Sequence, residues 1–284
     1  MSIIMRIGII GNGFVGKTLT TFCCDDIRVV AYDINENLRF PDNNVSMKDL
    51  IDCEIVFISV PTPMNLDGSC HLDIITNVLT NLHELNYKGF IVLRSTVPVG
   101  TCDKLNVRFM PEFLTEKNAL YDFKHNKEWY FGILHENDEI FKEKITTLFN
   151  LAHQNNCIVF NNICFVTNKE GEMIKLFRNC FLSVKVSFCN ELYDFCNSEN
   201  INYETVQKFA CSDERIQLSH TSVPGHDGLR GFGGTCFPKD TSSLLHQFKS
   251  HNVMSYIIKA AVERNNTVDR PQQDWKLDKG RTVI

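Results

Sequence analysis

Short apolar runs recur through the first half of the chain, at Met5–Ile10, Arg28–Tyr32, Glu54–Val60, Gly89–Arg94, Val107–Met110, Trp129–Leu134 and Ile158–Phe160. Helix-like stretches such as Leu72–Leu85 and Asp138–Leu151 fall between them, and this alternation predicts a parallel sheet with helices. The second half changes period. From Lys169 to Asn197 apolar residues return at Met173, Leu176, Phe177, Cys180, Phe181, Val184, Phe188, Leu192 and Phe195, in steps of three and four. That spacing predicts one long amphipathic helix. A shorter helix is expected at Tyr203–Ala210 and a last one from Asp240 to about Asn266. The tail Val268–Ile284 is polar, with Pro271 and Gly280, and reads as an extension or linker. The pattern divides the chain into an α/β domain over residues 1–168 and an all-α domain over residues 169–284.

The first strand leads into Gly11-Asn12-Gly13-Phe14-Val15-Gly16, and the second ends at Asp33. Strand, glycine turn, helix, strand and acid in that order form the dinucleotide fingerprint of a Rossmann domain. Gly11 makes the tight turn, Gly13 lets a pyrophosphate reach the backbone, and Gly16 lets helix and strand pack closely. The helix N-terminus then holds the pyrophosphate. Asp33 stands 22 residues after Gly11, near the ~20 expected of the acid that binds the adenosine ribose. An acid there favours NAD over NADP, because it repels a 2′-phosphate.

Open α/β sheets bind ligands at the carboxyl ends of their strands. Three turns expected at that edge carry distinctive residues: Val60-Pro61-Thr62-Pro63, Ser95-Thr96-Val97-Pro98-Val99-Gly100-Thr101, and Pro111-Glu112-Phe113-Leu114-Thr115-Glu116. Each alone can be turn punctuation; together they are better explained by a site. In the helical half, Gly231-Phe232-Gly233-Gly234-Thr235-Cys236-Phe237-Pro238-Lys239-Asp240 sets a cysteine behind a glycine-rich turn and ahead of a helix. A helix N-terminus with an ammonium three residues on favours the reactive thiolate, so Cys236 reads as a nucleophile. The bland alternative is a tight turn beside a buried structural thiol. Lys175 and Asn179 lie four apart and share a helix face, where they either point into a cleft or are simply solvated.

With 284 residues and 43% hydrophobic content, the chain is large enough for two domains and a substantial core. Its net charge of −5 offers no basic surplus for nucleic acid. No apolar run approaches the roughly 20 residues of a membrane span, and the N-terminus runs into a strand without a cleavage signal. A soluble cytoplasmic protein with no membrane partner is expected. The 12 cysteines are scattered without disulfide-framework or metal-ligand spacing, so reduced thiols and no metal site are expected.

Taken in order, these motifs, the Lys175/Asn179 helix and Asp213-Glu214-Arg215-Ile216 resemble the UDP-glucose 6-dehydrogenase branch of the nucleotide-sugar dehydrogenase family over about residues 5 to 266. The resemblance implies a four-electron oxidation of UDP-glucose, or a related nucleotide sugar, to the uronate, a polysaccharide precursor. Two NAD molecules would be used in turn. Cys236 would add to the C6 aldehyde to give a thiohemiacetal and then a thioester. Lys175 and Asp240 would handle the alcohol proton through a water, with Asn179 assisting the oxyanion. Glu112 would act as acid/base and Thr96 would orient water. The cofactor would meet Gly11, Gly13, Phe14, Val15, Gly16, Asp33, Pro61, Thr62, Thr96 and Lys239. The sugar nucleotide would meet Phe113, Leu114, Glu116, Lys175, Asn179, Phe232 and Gly233. Arg215 would reach a partner's substrate across a homodimer formed by the helical domain.

The sequence also departs from that family. No second strand-glycine-helix pattern follows Asn266, where the family continues into a UDP-binding domain. Cys102–Phe109 is short for a helical crossover, which usually needs at least ~10–12 residues. The stretch between Asp33 and Glu54 is also short, Lys117 stands where a glycine is usual, and His226–Arg230 lengthens the approach to the cysteine loop. The alternatives left open are a non-catalytic or impaired nucleotide-sugar or NAD-binding protein, and a simple two-electron hydroxyacid dehydrogenase, which needs no Cys236.

Overall fold

The computed structural model describes residues 4–284. Seven strands form one sheet in the order β2-β1-β3-β4-β5-β6-β7: β1 (Met5–Ile10), β2 (Ile27–Tyr32), β3 (Ile55–Ile58), β4 (Phe90–Leu93), β5 (Arg108–Phe109), β6 (Glu128–Ile133) and β7 (Asn162–Thr167). Side chains alternate between its faces, as the strand period requires. Ile7, Ile9, Ile55 and Phe57 join one buried cluster with Phe123, Phe141, Ile145 and Phe149. Ile10, Val56 and Ile58 join the other with Ile75, Leu82 and Cys102. The helices that supply these partners are α1 (Asp73–Glu84), α2 (Thr101–Leu105), α3 (Ala119–Lys124) and α4 (Glu139–Gln154). The result is a doubly wound, Rossmann-like sheet with both faces covered.

Several elements differ from expectation. Strands β1 to β5 pair in parallel, but β5 meets β6 antiparallel through Phe109 and Gly132, so β6 and β7 run against the rest. The run Ile158–Phe160 is not a strand. Only Ile158 is buried there, and the last strand comes later, at Asn162–Thr167. After the glycine turn the expected helix is a 3-10 helix, Gly16–Phe22. Thr18, Thr20 and Thr21 each turn a hydroxyl back onto the carbonyl three residues earlier, at 2.7 Å, and such local bonds compete with the α-helical ladder. The short β4–β5 connection is made by the five-residue α2. Gly100 and Asn106, both left-handed, open and close it.

The chain divides into two compact units. One comprises the chain up to Thr62 with Leu72–Lys175, and the other comprises Pro63–His71 with Leu176–Ile284. The long helix α5 (Asn168–Ser198) runs from the first into the second, which adds α6 (Tyr203–Ala210), α7 (Phe237–Ser250) and α8 (Tyr256–Arg264). The last predicted helix is thus two, broken where Asn252 takes φ +56°. The tail is no linker. Trp275 and Thr282 are buried, and Met64 donates to the Thr282 carbonyl at 2.8 Å while Ile284 donates back to Met64 at 3.2 Å. Pro63–His71 also packs on α7, where Ser242 donates to the Gly68 carbonyl at 3.2 Å.

Candidate functional site

Within the first unit, parallel register brings the turns after β1, β3 and β4 to one edge. Side chains stitch them together: Thr62 donates to the Thr96 carbonyl at 2.8 Å and Ser95 to the Val60 carbonyl at 2.6 Å. Gly11 is left-handed at φ +84°, and a Cβ there would lie 2.7 Å from the Ser59 carbonyl oxygen. A Cβ on Gly16 would lie 1.9 Å from the Gly11 carbonyl oxygen, so the turn cannot close on any larger residue. Gly13 has no atom within 4 Å of its own Cβ position. That open side is where a pyrophosphate would approach the backbone. Asp33 is buried and accepts from the backbone N–H of Asn12 at 2.7 Å and of Asn35 at 2.8 Å, one on each oxygen. Each carboxylate oxygen keeps a second lone pair, so the acid shapes the turn and can still accept ribose hydroxyls. This residue set fits NAD. Phe14 and Val15 are half-buried in the turn and Pro61 is exposed.

The turn after β5 carries Glu112, buried and paired with buried Lys175. The ammonium donates to Glu112 Oε1 at 2.6 Å and to the Glu112 carbonyl at 2.7 Å. Glu112 Oε2 accepts from the Leu114 N–H at 2.9 Å. Burial alone would raise this carboxyl. The Lys175 ammonium, the Leu114 N–H and the charge of Arg94 outweigh it and hold the acid below its ordinary value. Phe113 packs edge-on to Tyr130 with its face 5.8 Å from Lys175 Nζ. Leu114 packs against the core, and Glu116 opens a short 3-10 turn.

Two buried charges beside this site escape motif reading. Arg94 is 2% exposed and donates to the Val15 carbonyl at 3.0 Å, which ties the dinucleotide turn to β4. Burial pulls its guanidinium down to about 10 against the opposing charge of Glu112. Arg94, Glu112 and Leu114 also border a cavity of about 20 Å³, room for about one water. Glu172 accepts from the N–H groups of Gly100 and Cys102 and so caps α2. Burial raises its carboxyl. A lone arginine directly after the apolar run of β4 was the available signal for Arg94. Nothing in the spacing marked Glu172.

Within the second unit, Cys236 is the half-buried N-cap residue of α7, with Pro238 in the first turn. Thr235 Oγ1 lies 3.7 Å from its sulfur. Asp240 is 2% exposed and links its neighbours, accepting from Lys239 Nζ on one oxygen and from Asn179 Nδ2 on the other, both at 2.6 Å. Burial would lower the Lys239 ammonium, but the charges of Asp240 and Cys236 outweigh it and raise it. Phe232 is buried, and Gly233 lies against Arg270. Arg215 is 88% exposed and pairs with Asp213 at 2.5 Å. All twelve cysteines are unbridged thiols.

Sheet order, glycine turn and buried acid define a dinucleotide-binding α/β protein with a helical second unit. Residues 36–152 match the NAD binding domain of the UDP-glucose/GDP-mannose dehydrogenase family, and residues 169–267 match its central domain. The UDP-glucose 6-dehydrogenase of Campylobacter jejuni is 30% identical over 92% of this chain and 72% of its own length. That of Rickettsia felis is 28% identical over 99% of this chain and 68% of its own. The solved UDP-glucose dehydrogenase of Pyrobaculum islandicum superposes with a TM-score of 0.80 at 24% identity, covering 98% of this chain and 72% of that one. The chain belongs to the UDP-glucose/GDP-mannose dehydrogenase family, whose cofactor is NAD. No helix among the described residues is long and apolar enough to cross a membrane.

Proposed function

We propose that this chain oxidises UDP-glucose at C6 to UDP-glucuronate in two NAD-dependent steps. The observation that carries the reading is Cys236 at the N-terminus of α7, followed at once by the Lys239–Asp240–Asn179 chain of bonds. NAD, when bound, supplies the hydride acceptor for each oxidation. In the first step Asp240 takes the C6 alcohol proton through a water while the Lys175 ammonium stabilises the developing alkoxide, and the C6 hydride departs to leave the aldehyde. The Cys236 thiolate then adds to the aldehyde carbon, and the resulting alkoxide takes up a proton to give a thiohemiacetal. Loss of that hydroxyl proton and of a second hydride gives the thioester. Water, oriented by Thr96 and deprotonated by Glu112, attacks the thioester carbon. The C–S bond breaks, the thiolate is restored and the carboxylate is released. A Glu112 held ionised by Lys175 suits the role of proton acceptor, and Asn179 supports the oxyanion.

The helical unit is also proposed to form a two-fold homodimer. Phe177, Phe181, Phe188 and Phe195 lie at four- and seven-residue steps along α5 and are 61%, 59%, 59% and 60% exposed. Such a contiguous apolar stripe is a protein-contact surface, and a second copy of α5 is self-complementary to it. Exposed Arg215 would then serve the partner's substrate. The test of the reaction is the count of NADH formed per UDP-glucose consumed. Two is expected. One would mean a simple alcohol oxidation, and none, with NAD still bound, would mean a binding role; either overturns the reading.

A further inference from the structure

The loop from Arg230 to Thr235 that delivers Cys236 to α7 contains no helix or strand. What fixes it lies behind it, at the end of α8. Asn265 uses both ends of its side-chain amide on one residue of the loop: Oδ1 accepts from the Phe232 N–H at 2.7 Å, and Nδ2 donates to the Phe232 carbonyl at 3.0 Å. This is the pairing a neighbouring strand would provide, supplied by a side chain. Asn265 itself is fully buried and bonded to the chain beyond it, its carbonyl accepting from the Arg270 N–H at 2.7 Å.

Arg270 backs the next residue. Its guanidinium is 3% exposed and held on two sides, by Asp227 at 2.7 Å and by a two-pronged pairing with Asp274 at 2.5 and 2.7 Å. A planar fork held at both edges cannot swing away. Gly233 lies flat against it, and a Cβ there would come within 2.4 Å of Arg270 Cζ. Unlike Gly231 and Gly234, Gly233 has no left-handed φ, so the backbone alone would accept another residue. Glycine is required at 233 by the guanidinium. Arg270 lies just past the matched central domain, which ends at residue 267.

We propose that Asn265 and Arg270 are positioning residues for Cys236, forming a rigid template that sets the glycine loop and hence the direction from which the thiol meets its substrate. The inference rests on the reading of Cys236 as the nucleophile, but its test does not need turnover. In the full chain, the alkylation rate of Cys236 by iodoacetamide is followed by peptide mass spectrometry, with exposed Cys164 as internal reference. Asn265→Ala and Arg270→Ala are expected to shift the Cys236 rate about fivefold or more, with Cys164 unchanged. Gly233→Ala is expected to do the same in the natural background and to add less than about twofold in the Arg270→Ala background, the coupling of residues in contact. Where the chain turns over UDP-glucose, kcat falls while KM for NAD holds. If Arg270→Ala does not fold, Arg270→Lys, which keeps the charge and loses the fork, takes its place. Cys236 alkylation within about twofold of the natural chain in folded variants, or an equal Gly233→Ala effect in both backgrounds, overturns the proposal. A chain without UDP-glucose oxidation but with the alkylation shifts would instead refute the proposed reaction and leave the template standing.

Discussion

Replacing Lys175 by methionine keeps most of the side-chain volume and removes the ammonium from a carboxylate 2.6 Å away, with both side chains less than a tenth exposed. The Glu112 carboxylate would then lie buried with one N–H partner, from Leu114. Breaking a buried pair by removing one member costs about 3–5 kcal/mol, mostly from the stranded charge. For a unit of this size that lowers its unfolding midpoint by roughly 10 °C. The pH dependence follows from the direction of the Glu112 shift. In the natural chain the folded value lies below the unfolded one, so Glu112 contributes stability above the unfolded value and loses it as pH falls through the folded value. Without Lys175, burial dominates and the folded value rises above the unfolded one. The variant's penalty is then complete at high pH and is relieved as pH falls toward the unfolded value. The gap between natural and variant chains should therefore be widest near about pH 8 and narrower near about pH 5. Glu112→Gln added to Lys175→Met should recover most of the loss, since a neutral pair strands no charge. Trp129 reports the first unit and Trp275 the second, so denaturation followed by fluorescence in a Trp275→Phe background isolates the relevant transition. A gap below about 1 kcal/mol, or one that does not change with pH, would refute the account of a desolvated pair.

Asp33→Ala should weaken NAD by ~1.5–3 kcal/mol with UDP-glucose affinity unchanged; calorimetry checks both. Gly13→Ala should leave thermal stability intact, because nothing lies within 4 Å of the added methyl, and still lower NAD affinity. Gly16→Ala should lower the midpoint itself, since its methyl meets a carbonyl at 1.9 Å; equal melting curves for the two would refute the distinction. If the dimer shares its sites, mixing inactive Cys236→Ser and Arg215→Ala chains should restore some NADH formation, and absence of rescue would place Arg215 outside the partner's site.

The strands and the glycine turn were legible because burial on two faces and a close-packed turn leave little chemical choice. Gly11, Gly16 and Asp33 carry their geometry in their residue type. The reversal between β5 and β6 was not legible, since a single antiparallel contact at Phe109 and Gly132 leaves no periodic mark. Ile158–Phe160 misled because apolarity without length does not fix a strand, whereas Asn162–Thr167 opens on asparagine and is only partly buried. The 3-10 helix depended on where three threonine hydroxyls turned, and the break at Asn252 on one left-handed residue within an otherwise helical period. Cys236, Lys239 and Asp240 were visible as a contiguous string. Asn265 and Arg270 were not, because the loop residues they hold, Phe232 and Gly233, lie more than thirty residues away in the chain.

The excursion of Pro63–His71 into the second unit makes this chain discontinuous in a way that bears on its synthesis. The segment leaves the ribosome before most of the first unit exists, yet its partner Ser242 follows 174 residues after Gly68, and Thr282 and Ile284 come later still. Such pairing across most of the chain is slow to form and leaves its members exposed while they wait. The first unit can complete its sheet with that loop left slack, whereas the unit bearing Cys236 stays open until Thr282 and Ile284 arrive. Fragments cut at Lys175 would therefore separate α7 and the tail from a piece of their own packing, and an expressed helical half should need Pro63–His71 added back, as a peptide, to recover its native fold.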